Sequence, residues 1–396
     1  MTALLWLLLG ADVHGRGGFP LRLSRARPQT TGPEVFFAVR IEENLLKLPV
    51  WPVAGGVAIQ VLEWMGLKDA SESLWSSLGG RVVPIQMGSR NTSPFLLLAH
   101  HTHSFAQYDP LRALTRLVLP EGFPAHPHAG FSTLTMTLAG GLAHRDSEGL
   151  SMRYQDGDAQ WMRAGRGTLH EEMWWRDSEG KAELYQLWIN SPSGKKFAAP
   201  EVRHLLAKDT PEVLCGGPDC RVKILCGSVS LADEQEEHVG PLNDMADTQV
   251  CVCQLDLAPE QTLFVSAALG ATFILYIRRG SVVANNARVR MGDMIYYESP
   301  SETAKGQGCA EIKAGSTGLS ALLLLGEPIR EPVVMGGPLV MANEQQYQLA
   351  ASYFNKIGGD AYWGHEMQEE QWLAHTRKLD LQRVIEDFLE GSDANV

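Results

Sequence analysis

Two short histidine motifs are the features of this sequence best suited to chemistry. The segment HPH at 126–128 places two imidazoles at positions i and i+2, and HEE at 170–172 places an imidazole and a carboxylate at the same spacing. Residues two apart in a β-strand point to the same face, so each pair can reach one point inside a barrel. We therefore predict a metal site with the ligands His126, His128, His170 and Glu172.

The predicted ligand set indicates which metals fit. Three neutral nitrogens and one carboxylate oxygen suit Fe(II), Mn(II), Ni(II), Cu(II) or Zn(II). Four protein ligands leave one or two positions of an octahedral ion open to a substrate or to dioxygen, as metal catalysis requires. Each motif alone has another interpretation, since 126–128 is also compatible with a surface turn and His170 with a hydrogen-bonded core histidine.

The elements that must position these residues are predicted to be short β-strands. From about Gly80 the chain alternates apolar runs with turn signals, which is typical of a sandwich or barrel. The clearest strands that we predict are Ser132–Leu138, Ala159–Met162, Leu184–Ile189, Thr272–Ile277 and Met294–Tyr297.

An internal repeat predicts two similar β-barrels. A strand runs from Gly130 to Gly140 in the first copy and from Gly270 to Gly280 in the second, and Gly-Asp opens a later strand at 157–158 and at 292–293. Aligning Gly130 with Gly270 places Ser266 and Ala268 opposite the first histidine pair. We therefore expect a second barrel without metal, and the restriction of the histidines to one copy favours the metal site over the surface turn and the core histidine.

The domain organisation follows from the length and the repeat. At 396 residues the chain exceeds one ordinary domain of roughly 100–200 residues. Helical periodicity at 343–356 and 368–389 predicts a C-terminal helical cap. The predicted ranges are 1–35 (leader or targeting presequence), 36–79 (N-terminal extension), 80–200 (metal-binding domain), 201–341 (second domain without metal) and 342–396 (helical tail).

Composition restricts the partners. Apolar residues make up 44% and charged residues 20%, which is ordinary for a folded protein. The net charge of −12 repels a polyphosphate backbone, so we expect no direct binding of nucleic acid.

The six cysteines fall between 215 and 309 with no paired CxxC motif, which favours free thiols in a reducing compartment. We expect a monomer.

The N-terminus allows two interpretations. An apolar run at 3–10 precedes an Arg-rich stretch at 16–33 that contains no acid. This order fits import into a plastid, whereas a disordered leader or a wrongly assigned start remains the alternative. The apolar stretch at 50–67 is interrupted by Pro52 and Glu63, so a packed helix or strand pair is favoured over a stable membrane span.

The metal motifs resemble the signature of the pirin family within the cupin superfamily. The similarity is carried by HPHAGFSTLTMTLAGG from His126, by GDAQWMRAGRGTLHEEM from Gly157, and by GEPIREPVVMGGPLVM from Gly326. The resemblance implies an all-β-dominated fold with two cupin (jelly-roll) β-barrels in tandem. It also places the family's metal ligands on the four residues predicted above.

Two departures from the family pattern affect the surroundings of the site. Ala129 follows the second histidine where pirins usually have Arg, and Ser132 stands where they have an acid. The segment 100–125, with His100, His101 and His103, is longer than expected. We predict that it forms a lid or rim near the barrel mouth, with the three histidines exposed to solvent as a cluster and contact with the metal pocket as the alternative.

The resemblance implies two functions of different class. One is a quercetin 2,3-dioxygenase-like enzyme that uses Fe(II) and dioxygen on a flavonol, with Glu172 accepting the hydroxyl proton. The other is an iron-dependent regulatory protein that contacts a transcription factor as its protein partner. Family resemblance implies a cytoplasmic or nuclear location, with plastid import as the alternative from the leader.

Overall fold

The structure is a computed structural model. It describes residues 19–26, 38–42, 48–49, 61–62, 64–67, 81–86, 92–105, 120–175, 180–215, 217–232, 236–284, 287–299, 306–358 and 361–379. The first strands in chain order are β1 (Pro20–Ser24), β2 (Ala38–Glu42), β3 (Leu48–Pro49), β4 (Arg81–Gln86), β5 (Phe95–Ser104), β6 (Gly122–His128), β7 (Phe131–Ala139), β8 (Gly141–Asp146), β9 (Ser151–Gln155), β10 (Ala159–Arg163), β11 (Thr168–Trp175), β12 (Lys181–Asn190) and β13 (Glu201–Leu205). The remaining elements are β14 (Glu212–Leu214), β15 (Cys220–Cys226), β16 (Ser228–Leu231), β17 (Glu237–Val239), β18 (Val250–Leu257), β19 (Thr262–Ala268), β20 (Thr272–Ala284), β21 (Ala287–Arg290), β22 (Met294–Glu298), β23 (Gln307–Gly326), β24 (Val334–Gly336), β25 (Leu339–Met341), α1 (Glu344–Ile357) and α2 (Glu369–Leu379).

Two sheets form the first domain. One has the strand order β13-β10-β7-β12-β5-β4-β3 and the other β6-β11-β8-β9. Both faces of the larger sheet are covered by protein, as strand β7 shows. This strand alternates threonines with Leu134 and Met136, and the two kinds of side chain point to opposite faces. Thr135 contacts Glu172 of the smaller sheet, whereas Leu134 and Met136 lie in an apolar cluster shared with the second domain. The polar face of this strand is therefore the interior of the first domain.

The second domain is a twelve-stranded sheet that includes strands from the N-terminus. Its main path is β14-β15-β18-β23-β19-β1-β16-β17, with β2, β20, β21 and β22 attached. Strand β1 pairs parallel to β16 and antiparallel to β19, and its Leu21 and Leu23 are buried in the domain core. The predicted leader at 1–35 thus includes a core strand, and the predicted extension at 36–79 includes β2, which pairs with β22. Residues 1–18 and 27–37 lie outside the described residues.

The internal repeat is present in the backbone. Gly130 and Gly270 have φ angles of 82° and 85°, and Gly157 and Gly292 have φ angles of 81° and 87°. These left-handed conformations favour glycine, which explains why the same residue type occurs at both copies of each turn. The mostly β fold with two jelly-roll domains confirms the predicted fold class.

The C-terminal helices pack on the first domain. Helix α1 begins after Asn343, whose side chain accepts a hydrogen bond from the amide of Gln346 at 2.8 Å. The apolar faces of the two helices contribute Phe354 and Trp372 to a cluster with Ala129 and Leu169, which lie beside the predicted ligands. Residues 380–396, which include the end of the second predicted helix, lie outside the described part of the chain.

The three clustered histidines are buried, so the prediction of a solvent-exposed cluster at His100, His101 and His103 is wrong. They lie on β5, which is hydrogen-bonded to β12 on one side and to β4 on the other. His100 faces Tyr276 of the second domain, and His101 and His103 face Trp174 of the first. Both faces of β5 are covered by protein, which leaves these side chains no route to solvent. Residues 106–119 of the predicted rim are not described.

The cysteines and the apolar stretch at 50–67 can also be compared with the structure. All six cysteines are free thiols, and five of them are buried. No helix in the described ranges is long and apolar enough to cross a membrane. Of the stretch at 50–67, only 61–62 and 64–67 are described, and Trp64 there is exposed.

Candidate metal centre

The four predicted ligands lie on two neighbouring strands of the smaller sheet. Strands β6 and β11 run antiparallel, with His126 opposite His170 and His128 opposite Thr168. Directly opposed residues of an antiparallel pair point to the same face, so the three histidines share one side of the sheet. A β-bulge follows, because Phe123 rather than Pro124 lies opposite Glu172. The extra residue on β6 lets Phe123 face the interior together with His126.

The three imidazoles form a compact triangle. Their ring centroids are 4.4 Å apart for His126 and His170, and 4.8 Å apart for His128 with each of the other two. The Nε2 atoms of His126 and His170 are 3.0 Å apart. Two nitrogens at about 2.1 Å from one ion, with a right angle between their bonds, have this separation. The triangle therefore fits neighbouring ligands of a single octahedral ion.

Burial keeps these imidazoles in the form that binds metal. Burial lowers the pKa of His126, and it lowers the pKa values of His128 and His170 well below the usual range. The neutral ring supplies the lone pair that a metal needs. His126 Nδ1 donates a hydrogen bond to the carbonyl oxygen of Pro124 at 2.8 Å. The lone pair of Nε2 is therefore the one with which this neutral ring can bind a metal.

His128 provides the observation that points most directly to a metal. It is 2% exposed, and neither of its ring nitrogens has a hydrogen-bond partner among the described residues. Leaving buried polar atoms unpaired costs about 1–3 kcal/mol each, so such groups in proteins are nearly always paired, and a metal ion is a partner that suits a ring facing two other histidines. Trp188 and Phe131 pack edge-on against the ring and hold it towards the other two histidines.

Glu172 is held beside the triangle by three side chains of the interior. Its Oε1 accepts hydrogen bonds from the hydroxyl groups of Tyr154 at 2.6 Å and of Thr135 at 3.4 Å. Its Oε2 accepts one from the amide of Gln186 at 2.8 Å. Burial and the adjacent Glu172 raise the pKa of Tyr154 well above its usual range, so the phenol keeps its proton and remains a donor. Within the described part of the chain, Gln186 is the donor to Oε2, which leaves one acceptor position on this atom for another proton donor.

Two overlapping groups of side chains can hold a metal. One consists of His126, His128 and His170, and the other of His144, His170 and Glu172, with the ligand atoms of each group within 4.8 Å of one another. The structure thus brings the three predicted histidines together, and it places Glu172 with His170 and the unpredicted His144. The ligand roles of the four residues stay predictions.

Sequence reasoning missed most of the groups around the ligands. Tyr154, Thr135 and Gln186 reach Glu172 from other strands, and no local pattern distinguishes them from packing residues. His144 and Asp146 had a usable signal, because they have the same i, i+2 spacing on a short strand as the two predicted motifs.

The second domain has an apolar interior at the corresponding strand. In β19, Ser266 and Ala268 are only partly buried, whereas Val265 and Ala267 belong to the core. The thiols of Cys251 and Cys253 share a face of β18 with their sulfur atoms 3.5 Å apart, as the i, i+2 spacing predicts. Within the described residues, the groups able to hold a metal lie in the first domain. A metal-free second domain stays a prediction.

Comparison with protein families gives two matches, one in each half of the chain. The family model described as Pirin matches residues 80–189. The model described as Pirin C-terminal cupin domain matches residues 252–358. The first match contains all four predicted ligands, and the second, which extends from the second domain through helix α1, contains none.

Known proteins resemble the chain over both domains. A Vibrio cholerae protein named "Putative quercetin 2,3-dioxygenase" is 32% identical over 267 residues, which are 67% of this chain and 86% of the relative. Mouse pirin is 34% identical over 247 residues, covering 61% of this chain and 79% of the mouse protein. The crystal structure of a quercetin 2,3-dioxygenase from Acinetobacter baumannii superposes with a TM-score of 0.58 at 26% identity, covering 70% of this chain and 90% of that one.

Proposed function

Because this chain belongs to the pirin family, we propose that it is a metal-dependent dioxygenase of the quercetin 2,3-dioxygenase type. The proposed centre is one Fe(II) ion held by His126, His128, His170 and Glu172, with Mn, Ni, Cu or Zn as chemically acceptable replacements. The observation that carries the proposal is the buried His128, both of whose ring nitrogens have no protein partner among the described residues.

The protein's own residues have separable roles in this proposal. A bound divalent ion would supply Lewis-acid chemistry and a site where a deprotonated hydroxyl and dioxygen can meet. Glu172 would be a ligand through the remaining acceptor position of Oε2 and, after partial release from that role, takes the proton of the substrate hydroxyl there. Tyr154 and Gln186 hold the carboxylate in place for that transfer. Phe123 and Trp174, which are partly exposed and 5.9 Å apart between ring centroids, form an apolar wall beside His126.

The names of the relatives make quercetin the first substrate to test. We expect metal analysis of the purified protein to find about one transition-metal ion per chain. His170→Ala should lose the metal, because even groups that only support metal ligands are worth about 10–100-fold in affinity. The matched control is His238→Ala on β17 of the second domain, which should retain the metal. Full metal content in His170→Ala would contradict the site.

Catalysis is tested with Glu172→Gln at matched metal content. The amide is nearly isosteric with the carboxylate but cannot accept a proton as a base, so quercetin-dependent oxygen consumption should fall by about 10²–10⁴-fold. Equal and substantial rates in the two proteins would exclude Glu172 as the base. No consumption by the metal-loaded wild type would exclude quercetin as the substrate.

A further inference from the structure

We propose that His144 and Asp146 are positioning residues that hold His170 in the tautomer that binds metal through Nε2. The inference rests on the proposed metal centre and adds two residues to it. In the structure the Nδ1 atoms of His170 and His144 are 3.5 Å apart, and His144 Nε2 is 3.3 Å from Asp146 Oδ2. All three side chains are fully buried.

The positions of these residues follow from strand pairing. On β8 and β11, Asp146 lies opposite His170 and His144 lies opposite Glu172. The i, i+2 spacing of His144 and Asp146 puts both on the face that carries the metal ligands. His170 has His126 on its Nε2 side and the β8 pair on its Nδ1 side.

The direction of each hydrogen bond follows from Asp146. A carboxylate only accepts, so His144 must donate from Nε2, and in its neutral form it is left with an acceptor at Nδ1. His170 then donates from Nδ1, which leaves the lone pair of its Nε2 for the metal. Metal-bound histidines commonly donate their second ring N–H in this way, which fixes the orientation of the ring.

Backbone amides fix the carboxylate itself. Asp146 Oδ1 accepts from the amide nitrogen of Glu148 at 2.9 Å and from that of Leu150 at 3.0 Å, in the turn after β8. These two donors require an oxygen at the Oδ1 position. Only the other carboxyl atom can therefore face His144.

This arrangement makes Asp146→Asn a sharp test. The amide oxygen must stay with the two backbone donors, so the NH₂ group faces His144 Nε2 and donates to it. His144 then carries its hydrogen on Nδ1, and His170 must accept there and carry its own hydrogen on Nε2. That hydrogen occupies the position of the metal bond, so the substitution opposes metal binding while changing the side-chain shape very little.

The chain offers a closely matched control in Asp158. Its Oδ2 is 3.1 Å from Nε2 of His204, and Oδ1 accepts from the amide nitrogen of Ala207 at 2.8 Å. Oδ2 also accepts from the amide nitrogen of Gln155 at 3.1 Å, so Asp158→Asn disturbs an aspartate–histidine pair in which both carboxylate oxygens have a backbone donor. His204 is not paired with a predicted ligand, so the metal site should be unaffected.

The experiment has two readouts. In the metal-free protein, ¹⁵N NMR of the histidine rings should show Nδ1–H for His170 in the wild type and Nε2–H in Asp146→Asn. Zn(II) affinity, measured by competition with a chelator, should fall by about 10–100-fold in Asp146→Asn. The Asp158→Asn control should bind Zn(II) as the wild type does. Unchanged tautomers together with unchanged affinity in Asp146→Asn would overturn the inference.

Two outcomes distinguish a positioning role from failure of the metal centre and from direct ligation by His144. If the wild type binds no metal, the proposed centre fails, and the NMR of the metal-free protein still decides the hydrogen-bond direction. If His144 is itself a ligand, pulsed EPR of the Cu(II)-loaded His144→Leu variant will count fewer bound imidazoles than in the wild type, which overturns the positioning role. An unchanged count with weaker binding supports it.

Discussion

A buried lysine is hydrogen-bonded to the backbone just after strand β6, which carries two of the predicted ligands. The ammonium of Lys196 donates to the carbonyl oxygen of Gly130 at 2.8 Å and to the side-chain oxygen of Asn190, and the residue is 1% exposed. Burial lowers the pKa of Lys196 to about 7. Gly130 comes two residues after His128, so this side chain helps to fix the end of the strand that carries two predicted ligands.

Lys196 should make the stability of the protein depend on alkaline pH. An unfolded lysine has a pKa of about 10.4, so between pH 7 and pH 10 the unfolded chain binds a proton that the folded chain does not. Unfolding free energy should therefore rise with pH in this window, by at most about 1.4 kcal/mol per pH unit from this group. Denaturant titrations should show that Lys196→Met lacks this slope. The control Lys313→Met, at a partly exposed surface pair, should keep it. Equal slopes in wild type and Lys196→Met would contradict the prediction.

Among individual residues, the predicted ligands could be identified from the sequence, whereas the groups around them could not. His126 and His128 were predictable because a spacing of two residues is local and becomes a shared face in any strand. Tyr154 and Gln186 contact Glu172 only because β9 and β12 are brought next to β11 by the fold. Their role depends on tertiary pairing, which no local pattern encodes.

Strand β1 is the element with the clearest consequence for the N-terminus. Leu21 and Leu23 are each 1% exposed and pack in the core of the second domain, more than 190 residues away in sequence from their partner strands. We therefore expect that any leader that is removed ends before Phe19. Import into a plastid, with cleavage beyond residue 24, would remove this strand.

Truncation tests the contribution of β1. A chain that begins at residue 19 should keep the thermal unfolding temperature of the full chain if residues 1–18 act as a leader. A chain that begins at residue 27 should lose about 3–6 kcal/mol, because two buried leucines contribute about 1.5–3 kcal/mol each. Calorimetry measures both. As matched single substitutions, Leu23→Ala should cost about 2–5 kcal/mol and the exposed Arg22→Ala less than about 0.5 kcal/mol. Equal stability of the two truncated chains would show that β1 is dispensable.

The elements also show where sequence patterns stop being informative. The repeat was predictable because glycines at turns with positive φ recur at the same spacing in both domains. Strand β5 was misinterpreted because polar residues are usually exposed, whereas a strand covered on both faces buries them. The position of the helices on the first domain was not predictable either, since they follow the second domain in sequence.

The two domains are joined by an apolar cluster and by a buried charged network around Glu183. Leu134 and Tyr185 of the first domain pack with Ile274 and Leu324 of the second. Beside them, Glu183 of β12 accepts hydrogen bonds at 2.8–3.0 Å from the guanidinium groups of Arg278 and Arg279 of β20, and from His100.

The network holds Glu183 in its charged form. Burial alone would raise the pKa of Glu183, but the hydrogen bonds from Arg278 and His100 prevail and hold that pKa well below its usual range. A depressed carboxylate pKa contributes stability above the unfolded value of about 4.3 and loses it as the pH falls below that value. The contact between the domains should therefore weaken in acid and be at full strength at neutral pH.

Substitution of Glu183 tests whether this network stabilises the whole molecule. Glu183→Gln keeps the shape but leaves the largely buried guanidinium of Arg278 without its counter-charge, and losing one partner of a buried pair costs about 3–5 kcal/mol. The matched control is Glu201→Gln, whose carboxylate is 44% exposed and pairs with Arg163, so its loss should cost at most about 1 kcal/mol.

Calorimetry at neutral pH should show a lower unfolding temperature for Glu183→Gln than for the control. It should still show one transition, because the apolar cluster spans both domains. Two separate transitions in the wild type would contradict the coupling, and equal stability of the two variants would show that the buried charges only offset their own desolvation.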